Sequence, residues 1–65
     1  MTGRTVTVTD VSIEDADDRR CLCIIDHEEH WIARRELLDG TDVEEPGDEG
    51  TIVIPLTVAQ RLHLV

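Results

Sequence analysis

The chain has no lysine, no tyrosine and no phenylalanine, and Trp31 is its single aromatic residue. Every cation is therefore an arginine, and apolar packing has to come mainly from aliphatic side chains. Trp31 offers more apolar area than any other residue, so its expected place is the core. No apolar run approaches the roughly 20 residues that span a bilayer, and the first residues lack the basic, then apolar, order of a signal peptide. The expected compartment is the cytoplasm. Cysteine is scarce too: Cys21 and Cys23 stand two positions apart, on one face of a strand and poorly placed to bond each other. Both are expected as buried, reduced thiols.

The vocabulary of catalysis is also missing. No Ser/His/Asp pattern stands out, no glycine-rich phosphate loop precedes a helix, and no calcium-loop register fits residues 39–50. Paired carboxylates for hydrolysis need an apolar and a polar environment that push their pKa values apart, whereas the acids here fall in turn-like segments. A chain of 65 residues buries only about 60% of its unfolded surface, so an active site with a supporting shell would compete with the core for the same few residues. The expectation is a non-enzymatic protein without a cofactor. One metal-like set exists: Cys21, Cys23, His27 and His30 could offer zinc four ligands. Its gaps are tighter than the two or more residues between cysteines and three or more between histidines usual in zinc fingers, so buried thiols and solvent-facing histidines are the preferred reading. Loose calcium binding by the acidic loop stays open.

What the sequence has in excess is acid. Fifteen carboxylates against six arginines leave a formal charge of −9. Such a field repels nucleic acid and anionic membrane and steers the protein toward basic surfaces, with fast, salt-sensitive association. A solubilising role, or a high-salt or GC-rich source in which lysine is avoided, is the alternative. The acids gather in connections. Residues 14–18, EDADD, carry Glu14, Asp15, Asp17 and Asp18 with no apolar anchor and are expected as an exposed turn. Residues 40–55, GTDVEEPGDEGTIVIP, set Asp42, Glu44, Glu45, Asp48 and Glu49 among turn formers, then run into a β-branched strand. These nine acids are the candidate partner-binding residues. Alternate positions on an extended segment lie about 6.6–7 Å apart, a spacing that resembles the distance between successive phosphates along a nucleic-acid strand.

Periodicity supplies the rest. Residues 4–10, RTVTVTD, alternate as a half-buried strand, and the apolar phase slips by one at Val11 and Ile13, which fits a bulge near Thr9 and Asp10 or a twist that buries both faces, the bulge being the preferred reading. Residues 19–26, RRCLCIID, are apolar on both faces and suit a central strand. A tight polar connection at residues 26–29 and a return strand at residues 30–33 complete a hairpin. Residues 34–38 suggest one helical turn, with Leu37 and Leu38 inward and both arginines outside. The last strand ends at Pro55. Thr57, with Gln60 three residues on, has the pattern of a capping box opening a C-terminal helix whose inward face carries Val58, Leu62 and Val65, with Ala59 beside them. The expected fold is α+β over a single domain, residues 1–65: an antiparallel sheet of three to four strands with a short C-terminal helix, or a partly open barrel of the SH3-like kind. Nothing repeats internally.

The run EHWIARRELLDG, then PGDEGTIVIP and a short amphipathic helix, resembles small proteins encoded by phages and mobile elements, in which a Glu-x-Trp-Ile strand precedes a polar helical turn and a late "EG" strand. The likeness spans residues 29–65. It departs at Ala33, where the pattern has proline, and in the extra acid of the N-terminal half. By size, acidity and lack of catalytic residues the chain also resembles anti-CRISPR proteins that imitate DNA. That resemblance implies an inhibitor in a bacterial host cell; the sequence leaves its oligomeric state open, with a monomer the favoured one. It would bind the basic, nucleic-acid-holding surface of a type I CRISPR surveillance complex, and neither nucleic acid itself nor a membrane. An accessory module of a mobile element, binding through Trp31, Leu37 and Leu38 and indifferent to salt, is the alternative.

Overall fold

The computed structural model describes residues 3–65 as four strands, a 3-10 turn and one short helix. Strand β1 is Thr5–Ala16, β2 is Arg20–Ile25, β3 is Glu28–Ala33, the 3-10 turn is Arg34–Glu36, β4 is Glu49–Pro55 and helix α1 is Leu56–Arg61. All neighbouring strands are antiparallel, in the order β3-β2-β1-β4. Three consecutive strands with a fourth returning beside the first make a Greek key. The four-stranded antiparallel α+β expectation holds, and the sheet does not close on itself.

Strand β1 shows why the alternating pattern works. Val6 and Val8 face inward and half-buried while Thr5, Thr7 and Thr9 are exposed. The expected bulge is present: the register with β4 shifts between Val8 and Val11, and Asp10 takes φ 58°, a left-handed conformation that Asp tolerates better than most residues. The slip turns Val11 and Ile13 into the core. A second irregularity between Ile13 and Asp15 lets β1 continue to Ala16. Glu14 and Asp15 therefore belong to the strand and not to a turn, contrary to the expectation for residues 14–18. Only Asp17, Asp18 and Arg19 separate β1 from β2.

Strand β2 is central, and apolar on both faces as its sequence requires. Cys21, Cys23 and Ile25 are buried on the inner face, while Leu22 and Ile24 are half-buried on the outer one. Its connection to β3 is just Asp26 and His27, both left-handed (φ 51° and 69°). That is the backbone of a two-residue hairpin turn whose twist matches the strands. Register then decides Trp31. Ile32 pairs with Cys21 on the inner face, so Trp31, paired with Leu22, must point outward. It is 40% exposed, which corrects its assignment to the core; the isoleucines and valines fill that space.

Residues 37–48 cross to the open side of β4 and close its edge. Leu38 N–H donates to the Val53 carbonyl (2.7 Å) and Asp42 N–H to that of Thr51 (3.0 Å), while Val53 N–H donates to Thr41 Oγ1 (2.9 Å) and Thr51 N–H to Asp42 Oδ1 (2.7 Å). An edge strand that would otherwise present bare N–H and C=O groups is satisfied by its own loop. The approach is close enough that a Cβ on Gly50 would collide with Asp42 Oδ1 and crowd Val43. Val43, 2% exposed, then drops into the same buried core as Ile52, Ile54 and Ile32.

Helix α1 begins two residues earlier than the capping-box reading of Thr57 and Gln60 requires. Pro55 holds the N-cap position without a side-chain cap, and Leu56 N–H donates to the Arg4 carbonyl. Thr57 thus lies inside the first turn. At the other end His63 takes φ 60° and Leu64 N–H reaches back to the Ala59 carbonyl, closing the helix as a glycine would. That reversal tucks Leu64 inward and leaves Val65 67% exposed, so Leu64 replaces Val65 beside Val58, Ala59 and Leu62. Among the described residues no helix is long and apolar enough to cross a membrane.

Candidate functional site

Arg34 organises the acidic end of the molecule. Its backbone N–H donates to the Arg19 carbonyl (2.8 Å), extending the β2–β3 ladder by one step. Its side chain, half-buried and turned back rather than outward, donates from Nε to the Asp17 carbonyl (2.8 Å) and from Nη1 to the Glu44 carbonyl (3.2 Å). One guanidinium thereby holds the β1–β2 turn against the long loop. The same loop is pinned to β1 by Ile13 N–H to the Asp48 carbonyl (2.9 Å) and Gly47 N–H to the Ile13 carbonyl (2.9 Å). Pro46 and Gly47 make the loop's tight turn, with Gly47 at φ 96° and Asp48 N–H on the Glu45 carbonyl (3.0 Å).

The nine candidate acids divide by what their oxygens do. Asp48 Oδ2 accepts from the Glu44 and Glu45 N–H groups (3.0 and 2.9 Å), and these bonds hold its carboxyl below the ordinary aspartate value. Asp17 Oδ1 accepts from the Arg19 and Arg20 N–H groups (both 2.8 Å), with the same consequence. Asp42 is bonded to Thr51 on the β4 edge, and Asp15 Oδ1 accepts from the adjacent Ala16 N–H. Four of the nine thus serve the backbone. Glu14, Asp18, Glu44, Glu45 and Glu49 make no side-chain bond to the backbone among the described residues, and all are exposed. Asp17 and Asp18 come together with Glu44, Glu45 and Asp48 through Arg34, and Glu49 opens β4 opposite Ser12. The acids of the β2–β3 turn lie at the far end of β2, about 20 Å along the strand from Asp17 and the long loop, and reach the first group only through Glu29 beside Glu14.

The outer face of the sheet carries a second arrangement. Leu22, Ile24 and Trp31 form an apolar patch beside Glu14, Asp15 and Glu29. A hydrogen bond that protonated Glu14 donates to Glu29, and the like charge of Glu29, hold the Glu14 carboxyl above the ordinary glutamate value. Two carboxyl groups close enough to share a proton fit a cationic neighbour.

The cysteine–histidine set is dispersed. Cys21 and Cys23 are free and fully buried, Cys23 beside His30 across the ladder, and His27 lies in the exposed turn. Burial, helped by the neighbouring Cys21, pushes the Cys23 thiol up to about 11 and disfavours the thiolate that a metal requires. Among the described residues no three His, Cys, Asp or Glu side chains converge as a metal site.

The sequence reading missed the arginines. Arg19, Arg20, Arg34, Arg35 and Arg61, five of the six in the chain, line one groove of about 710 Å³ with Trp31 and Ala33. The Arg20 guanidinium lies over the indole of Trp31, 4.2 Å from the ring centre. The signal was in the sequence: a two-residue turn at Asp26 and His27 puts Arg20 opposite Ala33, and so the pairs Arg19-Arg20 and Arg34-Arg35 at one corner of the sheet. The chain matches no family model, no curated protein and no solved structure.

Proposed function

We propose that the protein is a non-enzymatic inhibitor that binds the basic surface of a nucleic-acid-binding complex in place of DNA. Among such complexes a type I CRISPR surveillance complex is the favoured target. The observation that carries the reading is the clamp at Arg34, which fixes two acidic segments, distant in sequence, side by side. Exposed like charges repel, and a fold that anchors them together by backbone bonds rather than letting them splay is suited to a cationic partner. Asp18, Glu44, Glu45 and Glu49 supply the outward charge; Asp17 and Asp48 shape the loops that present it. Nothing in this mode makes or breaks a bond.

Affinity capture on the immobilised protein tests the reading, using lysate that contains type I complexes and washes at low and high salt with and without duplex DNA. Retention at low salt with release by either agent supports mimicry, because complementary charge is screened and DNA competes for the same surface. The exposed Trp31, with Leu22 and Ile24, favours a second reading, an accessory module of a mobile element that docks by the outer face. A partner retained through both washes would select it.

A further inference from the structure

The groove at the corner of the sheet has the opposite sign to the rest of the molecule. A chain with fifteen carboxylates and six arginines could scatter its cations to screen its acids, yet five arginines line one groove against two lining carboxylates, Asp18 and Glu36. Two of the five are committed. Arg34 is bonded to carbonyls, and Arg61 pairs with Glu36 at 3.2 Å. Arg20 stacks on Trp31 and reaches Asp17 only at 3.4 Å. Among the described residues the side chains of Arg19 and Arg35 make no hydrogen bond or ion pair. The carboxylates at this corner, Asp17, Asp18 and Glu36, leave the donors of Arg19 and Arg35 and most of those of Arg20 without an acceptor among the described residues.

We infer that this groove is a binding site for a compact polyphosphate group, either free or carried by a nucleotide. Each guanidinium presents five N–H donors in a fixed fork. Three such forks hold more donors than the roughly four lone-pair sites of one carboxylate can accept, whereas a chain of phosphates offers enough oxygens for all three. The stacking on Trp31 holds the Arg20 guanidinium in place beforehand, which lowers the cost of ordering it on binding. The groove's volume falls in the range of small-molecule sites. A long nucleic acid fits less well, since its phosphates would run out of the groove over Asp18 and the acidic turn. The inference stands apart from the mimicry reading, which shares with this groove only Asp18 and the clamping Arg34 and uses none of Arg19, Arg20 and Arg35.

Trp31 makes the test direct, because the only indole of the chain lies in the groove. The full chain is titrated with inorganic tripolyphosphate, and separately with ATP, at constant ionic strength, following Trp31 emission and the heat of binding. The expected result is saturable binding that weakens at least 10-fold in Arg19→Gln/Arg35→Gln and is unchanged in Arg4→Gln, whose arginine lies outside the groove. Equal affinities for the two probes assign the site to the phosphate chain alone; tighter binding of ATP assigns it to a nucleotide with the base beside Trp31. The inference is overturned if neither signal saturates, if Arg4→Gln weakens binding as much as the double variant, or if a single-stranded oligonucleotide binds more tightly than tripolyphosphate.

Discussion

The two ends of the β2–β3 hairpin both carry clustered acids and are built in opposite ways. At the Arg20/Ala33 end, the Arg34 guanidinium, two aspartates used as backbone acceptors and a buried valine tie the first turn and the long loop into one structure. At the Ile25/Glu28 end two left-handed residues with side chains, Asp26 and His27, make the turn unaided. His30 nearby buries an Nε2 with no hydrogen bond, its closest carboxylate being Glu28 Oε2 at 3.8 Å. The difference teaches that acidity alone does not mark a site. Charge held in a fixed arrangement does, and only one end has it.

The largest effect should come from Arg34→Ala, which removes charge-assisted donors from two carbonyls and parts the acidic segments. A loss of about 2–3 kcal/mol in denaturant unfolding is expected, with partner affinity falling more than stability explains. Val43→Ala loosens the same loop from below and should cost about 2 kcal/mol for a buried cavity. At the other end the signs reverse. Asp26→Asn/His27→Gly installs the residues that a left-handed two-residue turn prefers and should stabilise by about 1 kcal/mol without touching partner binding. His30→Val removes an unsatisfied buried nitrogen and should be neutral to stabilising by up to about 1 kcal/mol. If the far-end variants damaged binding as much as Arg34→Ala, the distinction between the ends would collapse.

Acid should separate the regions in the same way, with smaller effect. The Asp17 and Asp48 carboxyls lie below their ordinary 3.8, so their contribution is complete above about pH 4 and disappears as the pH falls through their folded values. Glu14 lies above its ordinary 4.5 because of Glu29, so its penalty is relieved as the pH falls through that raised value and grows as it rises. Thermal melts from pH 7 to pH 3 should therefore show Asp48→Asn flattening the low-pH decline. Glu29→Gln should flatten the higher-pH part instead.

Much of this fold was legible because the apolar pattern is strict where register is strict. The phase slip at Val11 announced the bulge, the two-sided β2 announced its central place, and the isoleucines of β4 announced a core strand. Trp31 was not legible, since four residues of alternating strand leave the choice of face to the partner strand, and Ile32 took the inside. The start of α1 was missed because Leu56 finds its N–H acceptor in the Arg4 carbonyl, a contact across the molecule that no local capping pattern contains. The acids of the candidate site could be named from the sequence, but not which of them spend their oxygens on the backbone. That division follows from loop geometry set by Arg34, Gly47 and the β1 bulges.

The most direct test of the central claim is displacement of duplex DNA from a purified type I surveillance complex by the wild-type chain and by Asp18→Lys/Glu44→Lys/Glu45→Lys/Glu49→Lys. Displacement by the wild-type chain should weaken as salt rises and be lost in the reversed variant at unchanged thermal stability. No displacement by the wild-type chain, or equal displacement by both, would contradict that claim.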